Sequence, residues 1–286
     1  MNVGIIGLGD IARKAYLPVI TTRDVELHLC SRDATKLAAI GKQYRVNNLH
    51  NTVDALIKAG ITAAFVHTAT SSHEEVIHKL LENNIHVYVD KPVTDSYETT
   101  ARLVALARSK NLLLKAGFNR RYAPAYAQLK DIADRNMILM QKNRKSLPGE
   151  IRTFVFDDFI HVVDTLLFLI KDGKPEIQLD ARIEGGKLYH LLVNITVGSM
   201  SAIGIMNRDS GITEERLEVF SPKEKRVVVD LTPANKDPWE PILKTRGFED
   251  LIDDFIGSVR SKKTSFSDDI LRTHEICEKI VQQLSQ

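Results

Sequence analysis

The residues Gly4–Ile20 read GIIGLGDIARKAYLPVI, and this stretch decides the fold of the first half of the chain. It places Gly7, Gly9 and Ala12 in a GxGxxA pattern, directly after an apolar strand and at the start of a helix. Gly7 then permits a tight turn, Gly9 lets the backbone approach a pyrophosphate, and Ala12 keeps the helix close to the sheet. The anion is expected on the free amides at the helix start, those of Asp10, Ile11 and Ala12. A glycine-rich turn without a ligand is the alternative, but the position after the first strand favours a dinucleotide site.

Short apolar segments alternate with helical ones over the first 118 residues. Strand patterns cover 3–7, 25–30, 61–67, 85–89 and 112–118, and the clearest helix patterns cover 73–84 and 97–111. This alternation predicts βαβ units on a parallel sheet that is covered on both faces. We therefore expect a dinucleotide-binding (Rossmann) domain at residues 1–119, which makes the fold class α/β.

The alternation stops after Phe118, where the polar, proline-bearing segment NRRYAPAYAQLK begins. A helix is predicted from about Asp158 to Ile170, and alternating runs such as KLYHLLVNITV and KRVVVDL occupy residues 177–231. FEDLIDDFIGSV and ILRTHEICEKIVQQL close the chain as helices. Residues 120–286 are thus predicted to form an α+β domain with a largely antiparallel open sheet.

The composition indicates a globular protein whose partner is a small molecule. The 286 residues include 39 basic and 37 acidic ones without a block of like charge, so no nucleic-acid surface is expected. Cys30 and Cys277 have no metal-site or disulfide-framework spacing, so we expect no metal and a reducing cytoplasm. No apolar stretch reaches the ~20 residues of a membrane span. The residues after Met1 lack the basic leader of a signal peptide, so no export is expected.

The end of the second strand bears on the choice of dinucleotide. An NAD-preferring site would have Asp or Glu there, whereas this chain has Ser31 and Arg32 in CSRDATK. A hydroxyl and a guanidinium can hold a 2′-phosphate that a carboxylate would repel, so the residues favour NADP over NAD. Alternatively, Arg32 stacks on the adenine or is a solvated surface residue, and the nearby Asp33 keeps NAD open.

The stretch HVYVDKPVTD, His86–Asp95, ends an apolar strand with Asp90, Lys91 and Pro92. This turn lies on the rim where open parallel sheets bind ligands. The residues alone do not separate a functional lysine from a turn with a solvated lysine.

Two groups in the second half of the chain are candidates for the substrate site. In FVFDDFIHVVDTLLFLI, Asp157 and His161 are four residues apart and share a helix face. A histidine can take a proton from a hydroxyl at neutral pH, and a carboxylate at this spacing can orient it. The alternative makes Asp158 a helix cap and His161 a core residue.

Two cations, Lys142 and Arg144, lie one residue apart in LMQKNRKSLPG. On a strand edge such residues point to the same side, so they are candidates to bind a substrate anion. A solvated basic loop is the alternative.

Several motifs together resemble those of the Gfo/Idh/MocA oxidoreductases. GLGDIA, TATSSH (Thr68–His73), VYVDKPV and KAGFNRRYAPAY follow the order and spacing of that family's GxGxxA turn, TPxxxH segment, EKP motif and GFNRR segment. DKP in place of EKP, and DDFIHVVDTLLFL further on, are most similar to the MviM and YceM branch. The departures are Asp90 for Glu, Ala69 for Pro, Phe159 for the Gly of the family's DxGxH pattern, and a missing glycine run before that pattern.

The resemblance implies roles for these positions. Lys91 would be the active-site lysine that reaches both the nicotinamide and the reacting oxygen of the substrate, with Pro92 setting the turn through a cis bond. Asp157 and His161 match the DxGxH pair, so they would be catalytic and touch the substrate. The segment at Arg120 would lie beside the nicotinamide and contact the substrate, although Arg120 and Arg121 are equally candidates for interdomain salt bridges. Further cofactor contacts would come from Thr68, His73, Asp90 and Asn119.

The resemblance implies an NAD(P)-dependent oxidoreductase that transfers a hydride between its cofactor and a secondary alcohol or carbonyl of a sugar-like or polyol substrate. A catalytically silent dinucleotide-binding sensor is the alternative, and elimination through a transient ketone also exists in the family. A sensor would need neither Lys91 nor His161. The second domain's sheet can be covered by helices on one face only, so we expect a homodimer through that sheet, as is common in the family.

Overall fold

The computed structural model describes residues 1–170, 172–232, 240–262 and 268–285. It divides into two compact units. The first comprises Met1–Gly117 and Phe248–Leu271, and the second comprises Phe118–Gly247 and Arg272–Gln286. The helix Phe248–Arg260, which the sequence analysis placed in residues 120–286, therefore belongs to the first unit.

The first unit contains a parallel sheet of six strands in the order β3-β2-β1-β4-β5-β6. The strands are β1 Asn2–Ile6, β2 Glu26–Cys30, β3 Asn48–His50, β4 Ala63–Val66, β5 His86–Val89 and β6 Leu114–Ala116. The order reverses direction between β1 and β4, which is where such sheets open a crevice for ligands. The predicted Rossmann fold is confirmed, whereas the short edge strand β3 was not predicted because its polar residues show no apolar pattern.

Helices connect these strands. They are α1 Leu17–Ile20, which continues a π-helical segment Ala12–Tyr16, then α2 Ala34–Tyr44, α3 Val53–Lys58, α4 His73–Glu82 and α5 Tyr97–Ser109. The side chains of Asp33, Thr52 and Ser96 cap α2, α3 and α5 by accepting a main-chain N–H of the first turn. The helix Phe248–Arg260 adds Phe255, whose ring meets Phe65 of β4 at 5.1 Å between centroids.

The second unit contains a six-stranded sheet in the order β12-β11-β7-β10-β9-β8. Its strands are β7 Met137–Lys145, β8 Glu176–Glu184, β9 Lys187–Val197, β10 Met200–Ser210, β11 Glu214–Phe220 and β12 Lys225–Val229. Only β7 and β10 pair in parallel; the other neighbours are antiparallel, as predicted. Lys142 and Arg144 lie on β7, a central strand between β10 and β11.

One helical segment packs on this sheet. It runs as α-helix Ile151–Phe154, π-helix Val155–Phe159 and α-helix Ile160–Leu169, so it begins earlier than predicted. A Cβ on Gly204 of β10 would lie 2.7 Å from Val162 and 3.0 Å from Leu166, so a glycine here lets the helix lie directly on the strand. The remaining described α-helices are Pro124–Ala127, Ile242–Thr245 and Asp269–Leu284.

Among the described residues, no helix combines the length and apolar character that a membrane crossing requires.

Candidate functional site

The turn after β1 has the geometry that the glycine pattern predicts. Gly7 has φ +88°, and a Cβ on it would lie 2.7 Å from the main-chain carbonyl of His67, so only glycine fits. A Cβ on Gly9 would meet nothing within 4 Å, which leaves its backbone open to a ligand. Ala12 is fully buried, and helical backbone starts at Asp10. The Asp10 carboxylate accepts hydrogen bonds from Arg13 and Lys14 on the protein surface, while Ile11 is 36% exposed.

The loop after β4 lies beside this turn and carries buried polar atoms. Within the described part of the chain, the Thr68 hydroxyl and both ring nitrogens of His67 make no hydrogen bond. Buried polar atoms are normally paired, so an unpaired hydroxyl next to the Gly7 turn fits a site whose ligand completes the bonding. The close approach at Gly7, the open Gly9 and the unpaired Thr68 hydroxyl together fit a dinucleotide at the β1/β4 crevice.

His73 connects the loops that follow β4 and β5. Its Nδ1 lies 2.9 Å from the carbonyl oxygen of Pro92, and its Nε2 lies 3.0 Å from that of Thr68. The side chain is 1% exposed. Its ring therefore holds two loops of the rim together instead of facing solvent.

Ser31, Arg32 and Asp33 follow β2. The Ser31 amide donates to the His50 carbonyl at 3.1 Å, and the Asp33 carboxylate accepts from the Lys36 amide at 2.9 Å. Asp33 is thus engaged as the cap of α2. Arg32 is exposed and makes no hydrogen bond or ion pair with any residue that the structure describes.

The DKP turn follows β5 on the same rim. The Asp90 amide donates to the Val66 carbonyl at 2.9 Å, and the Lys91–Pro92 bond is cis, as the resemblance implies. Asp90 and Lys91 are half-buried. A Cβ on Gly117 would lie 2.8 Å from the Asp90 carboxylate, so this glycine leaves room for the acid.

Two buried tyrosines support this turn, and the sequence analysis did not single them out. The hydroxyls of Tyr16 and Tyr88 lie 2.6 Å apart, and both side chains are fully buried. Burial first, and the charge of Asp90 second, raise the pKa of Tyr16 well above its usual value. The Tyr16 ring also lies 4.0 Å from that of His67, whose pKa burial and the neighbouring His73 lower to about 3. The available signal in the sequence was the alternation along β5, which places Tyr88 on the same side as Asp90, the residue that follows the strand.

The predicted acid and histidine of the second unit lie on the helical segment 151–169. Asp157 is exposed and His161 is half-buried, whereas the intervening Asp158 is buried. The alternative in which Asp158 caps the helix is wrong, because the segment begins at Ile151 and the Glu150 carboxylate caps it. Asp157 and Asp158 lie in the π-helical turn, a rare feature that is often found at functional sites.

Three cations converge on Asp158. Lys142 donates to Oδ1, Arg144 donates to both carboxylate oxygens at 3.0 and 3.2 Å, and Arg208 donates to Oδ2 at 3.2 Å. Although burial raises the pKa of Asp158, the charge of Lys142 and the bonds from Arg144 and Lys142 outweigh it and lower that pKa. Burial and the charge of Arg120 lower the pKa of Lys142 to about 7. Lys142 and Arg144 do point to one side, but Lys142 is 2% exposed and not part of a solvated loop.

The NRR segment makes ion pairs and hydrogen bonds within the second unit. Arg120 donates to both oxygens of Glu215 at 2.8 and 2.5 Å. Arg121 donates to both oxygens of Asp164, with a shortest distance of 2.7 Å. The Asn119 side-chain amide donates to the Arg246 carbonyl at 2.9 Å, and this side chain is buried.

The predicted site residues are divided between the two units. Lys91 belongs to the first unit, and Asn119, Arg120 and the Asp157–His161 pair belong to the second.

Comparison with known proteins supports the motif-based resemblance. Residues 1–118 match a family described as "Oxidoreductase family, NAD-binding Rossmann fold", and residues 124–237 match "YceM-like, C-terminal domain". A Salmonella typhimurium protein named YceM is 30% identical over 280 residues, which are 92% of this chain and 90% of that protein. The crystal structure of a dehydrogenase (MviM) from Clostridium difficile has a TM-score of 0.92 at 29% identity and covers 99% of both chains. The scyllo-inositol 2-dehydrogenase (NAD(+)) of Bacillus subtilis is 34% identical over 133 residues, 46% of this chain and 39% of that protein.

Proposed function

Because the chain belongs to the Gfo/Idh/MocA family of oxidoreductases, we propose that it oxidises a secondary alcohol, or reduces the corresponding carbonyl, of a polyol or sugar-like substrate. The observation that carries the proposal is the rim of the first sheet. There the Gly7 turn, the unpaired Thr68 hydroxyl and the Lys91 turn follow the adjacent strands β1, β4 and β5. The similarity to an inositol dehydrogenase supports the polyol class.

Lys91, His161 and Asp157 have different roles in the proposed reaction. Lys91 binds the reacting oxygen and polarises it, so charge that develops on that oxygen is stabilised. His161 takes the hydroxyl proton during oxidation and returns it during reduction, and Asp157 orients His161. A dinucleotide held at the Gly7 turn and Thr68 would supply the nicotinamide carbon for hydride transfer. His73 and Tyr88 keep the loops of the rim in place.

NADP is the proposed cofactor. Arg32 is an exposed cation without a partner among the described residues, and Asp33, the nearest carboxylate in the sequence, already caps α2. A guanidinium in this place can hold a 2′-phosphate through charge-assisted hydrogen bonds. Asn119 and Asp90 are proposed to contribute to the nicotinamide end.

A homodimer is proposed through the second unit's sheet. Gly204 faces the helical segment, so its neighbours Ile203 and Ile205 face the opposite side. This opposite face also carries Leu192 and Val229, which are 37% and 40% exposed. These apolar side chains on the face away from the helical segment support a contact with a second copy of the chain.

The test is a panel of neutral polyols, sugars, sugar acids and sugar phosphates, scored by the change in nicotinamide absorbance with NADP and with NAD. With a substrate that the natural chain turns over, His161→Ala should lower turnover ~10²–10⁴-fold. Lys91→Ala should lower it by at least as much. Because both act on one proton transfer, the double variant should lose far less than the product of the single losses. His78→Ala and Lys58→Ala, both at exposed positions, are the matched controls. Near-normal turnover of folded, cofactor-binding Lys91→Ala would contradict the mechanism and favour a catalytically silent sensor.

A further inference from the structure

The Asp158 carboxylate is saturated with hydrogen bonds. It accepts four bonds, one from Lys142, two from Arg144 and one from Arg208. A carboxylate offers about four acceptor positions, so Asp158 has no capacity left for a further donor.

The cations around Asp158 keep unused donors and an excess of positive charge. Lys142 uses one ammonium hydrogen within the described residues, and the buried Nε–H of Arg208 has no partner there. Two guanidinium charges therefore face one carboxylate, and a third positive charge joins them when Lys142 is protonated. The nearby Arg120–Glu215 pair is neutral as a whole and does not change this balance. Buried donors favour acceptors, so the group is suited to bind an anion.

The group is built and accessible from one side. The side chains of Lys142 and Arg208 are 3% and 8% exposed, which fixes them in place. The Arg144 side chain is 35% exposed and gives the group its opening to solvent. Its planar guanidinium is suited to bind the oxygens of a carboxylate or phosphate.

We propose that Lys142, Arg144 and Arg208 form a subsite for an oxyanion of the substrate, either the carboxylate of a sugar acid or the phosphate of a sugar phosphate. This inference rests on the proposed function and narrows its substrate class. Asp158 is next to Asp157 and three residues before His161 on the same helical segment. The subsite therefore neighbours the residues proposed to exchange the hydroxyl proton.

The titration of Lys142 supports the subsite. Burial and Arg120 favour its neutral form, Asp158 and Glu215 favour its charged form, and Arg144 and Arg208 add further positive charge nearby. Its pKa of about 7 means that the ammonium is only partly formed at neutral pH. A bound anion favours the ammonium, so binding takes up a proton and affinity falls as the pH rises through this pKa.

Calorimetric titration with inorganic sulfate, which does not itself titrate near neutral pH, tests the subsite. Arg144→Gln should weaken sulfate binding about tenfold or more, because it removes a charge-assisted donor pair. Lys145→Gln, at the exposed neighbouring position, should bind as the natural chain does. Equal sulfate affinity in Arg144→Gln and the natural chain would overturn the inference. If Arg144→Gln does not fold, an affinity of the natural chain that is unchanged between pH 6 and pH 8 overturns it.

Initial rates with D-gluconate, D-glucose 6-phosphate and D-glucose separate the two sources of the oxyanion. If gluconate is oxidised faster than D-glucose and this advantage depends on Arg144, the oxyanion is a carboxylate. If D-glucose 6-phosphate shows that advantage instead, the oxyanion is a phosphate. If D-glucose is oxidised with the same kcat/KM by the natural chain and by Arg144→Gln, and neither anionic sugar is preferred, the inference fails while the proposed function stands. If no sugar is oxidised but sulfate binding depends on Arg144, the subsite stands and the proposed function fails.

Discussion

Replacing Arg120 by Met removes the cation that holds the buried Glu215 carboxylate. Arg120 donates to both Glu215 oxygens, and both side chains are 10% exposed. The Tyr126 hydroxyl adds a third bond at 3.1 Å. Methionine keeps much of the side-chain volume, so the substitution mainly deletes the charge and its hydrogen bonds.

The magnitude follows from the pKa of Glu215. Burial raises this pKa, but the charge and hydrogen bonds of Arg120, together with the smaller effects of Lys142 and Tyr126, outweigh burial, and the pKa falls from 4.5 to about 2. Since one pKa unit corresponds to about 1.4 kcal/mol, ionised Glu215 contributes roughly 3 kcal/mol to the free energy of unfolding. This contribution is complete above pH 4.5 and is lost as the pH falls toward about 2. Breaking a buried pair by removing one partner typically costs about 3–5 kcal/mol, which agrees in size.

Urea unfolding followed by circular dichroism at pH 7 and pH 3 measures the effect. Arg120→Met should lower the free energy of unfolding by about 3 kcal/mol at pH 7 and by less at pH 3, where part of the contribution is already gone. Arg226→Met is the control, because Arg226 also pairs with a glutamate, Glu224, but at an exposed site. Its effect should stay below about 1 kcal/mol. A loss for Arg120→Met as small as that of the control would refute a stabilising pair and return Arg120 to the candidates for direct substrate contact.

Three further outcomes are expected. Gly7→Ala should abolish dinucleotide binding in calorimetry, since φ is +88° and the new methyl would meet the His67 carbonyl at 2.7 Å; binding within a few fold of the natural chain would contradict the turn's role. Arg32→Ala should lose most of a preference for NADPH over NADH in parallel titrations, and tighter NADH binding by the natural chain would count against NADP. Light scattering at micromolar concentration should give twice the 32.1 kDa chain mass, and Ile205→Lys should give the monomer; a monomeric natural chain would refute the dimer.

Local sequence patterns predicted those features that depend on a few neighbouring residues. The GxGxxA spacing predicted the Gly7 turn, because a positive φ in a tight turn favours glycine. Alternation of strands and helices predicted the parallel sheet, since its strands are buried on both faces and read as apolar runs. Alternation of apolar residues likewise predicted the mostly antiparallel second sheet, which the structure confirms.

Other features depend on contacts that no local pattern encodes. The helical segment begins at Ile151 because Glu150 caps it, whereas the pattern had suggested a start near Asp158. The Tyr16–Tyr88 bond joins residues 72 positions apart, so neither tyrosine stood out in the sequence. Neighbouring positions also diverge in the structure, since Asp157 is exposed while Asp158 is buried.

The fold class, the dinucleotide turn and the position of Lys91 at a strand end were all predictable from the sequence, since each depends on residues close together in the chain. The partners of the charged groups, by contrast, depend on how distant parts of the chain pack together. Asp158 meets Lys142 from β7 and Arg208 from β10, which are 16 and 50 residues away. These two strands became neighbours through a parallel pairing in a mixed sheet. Long-range strand order and register, together with the burial that they impose, select which cation faces which carboxylate, and residue spacing does not encode that choice.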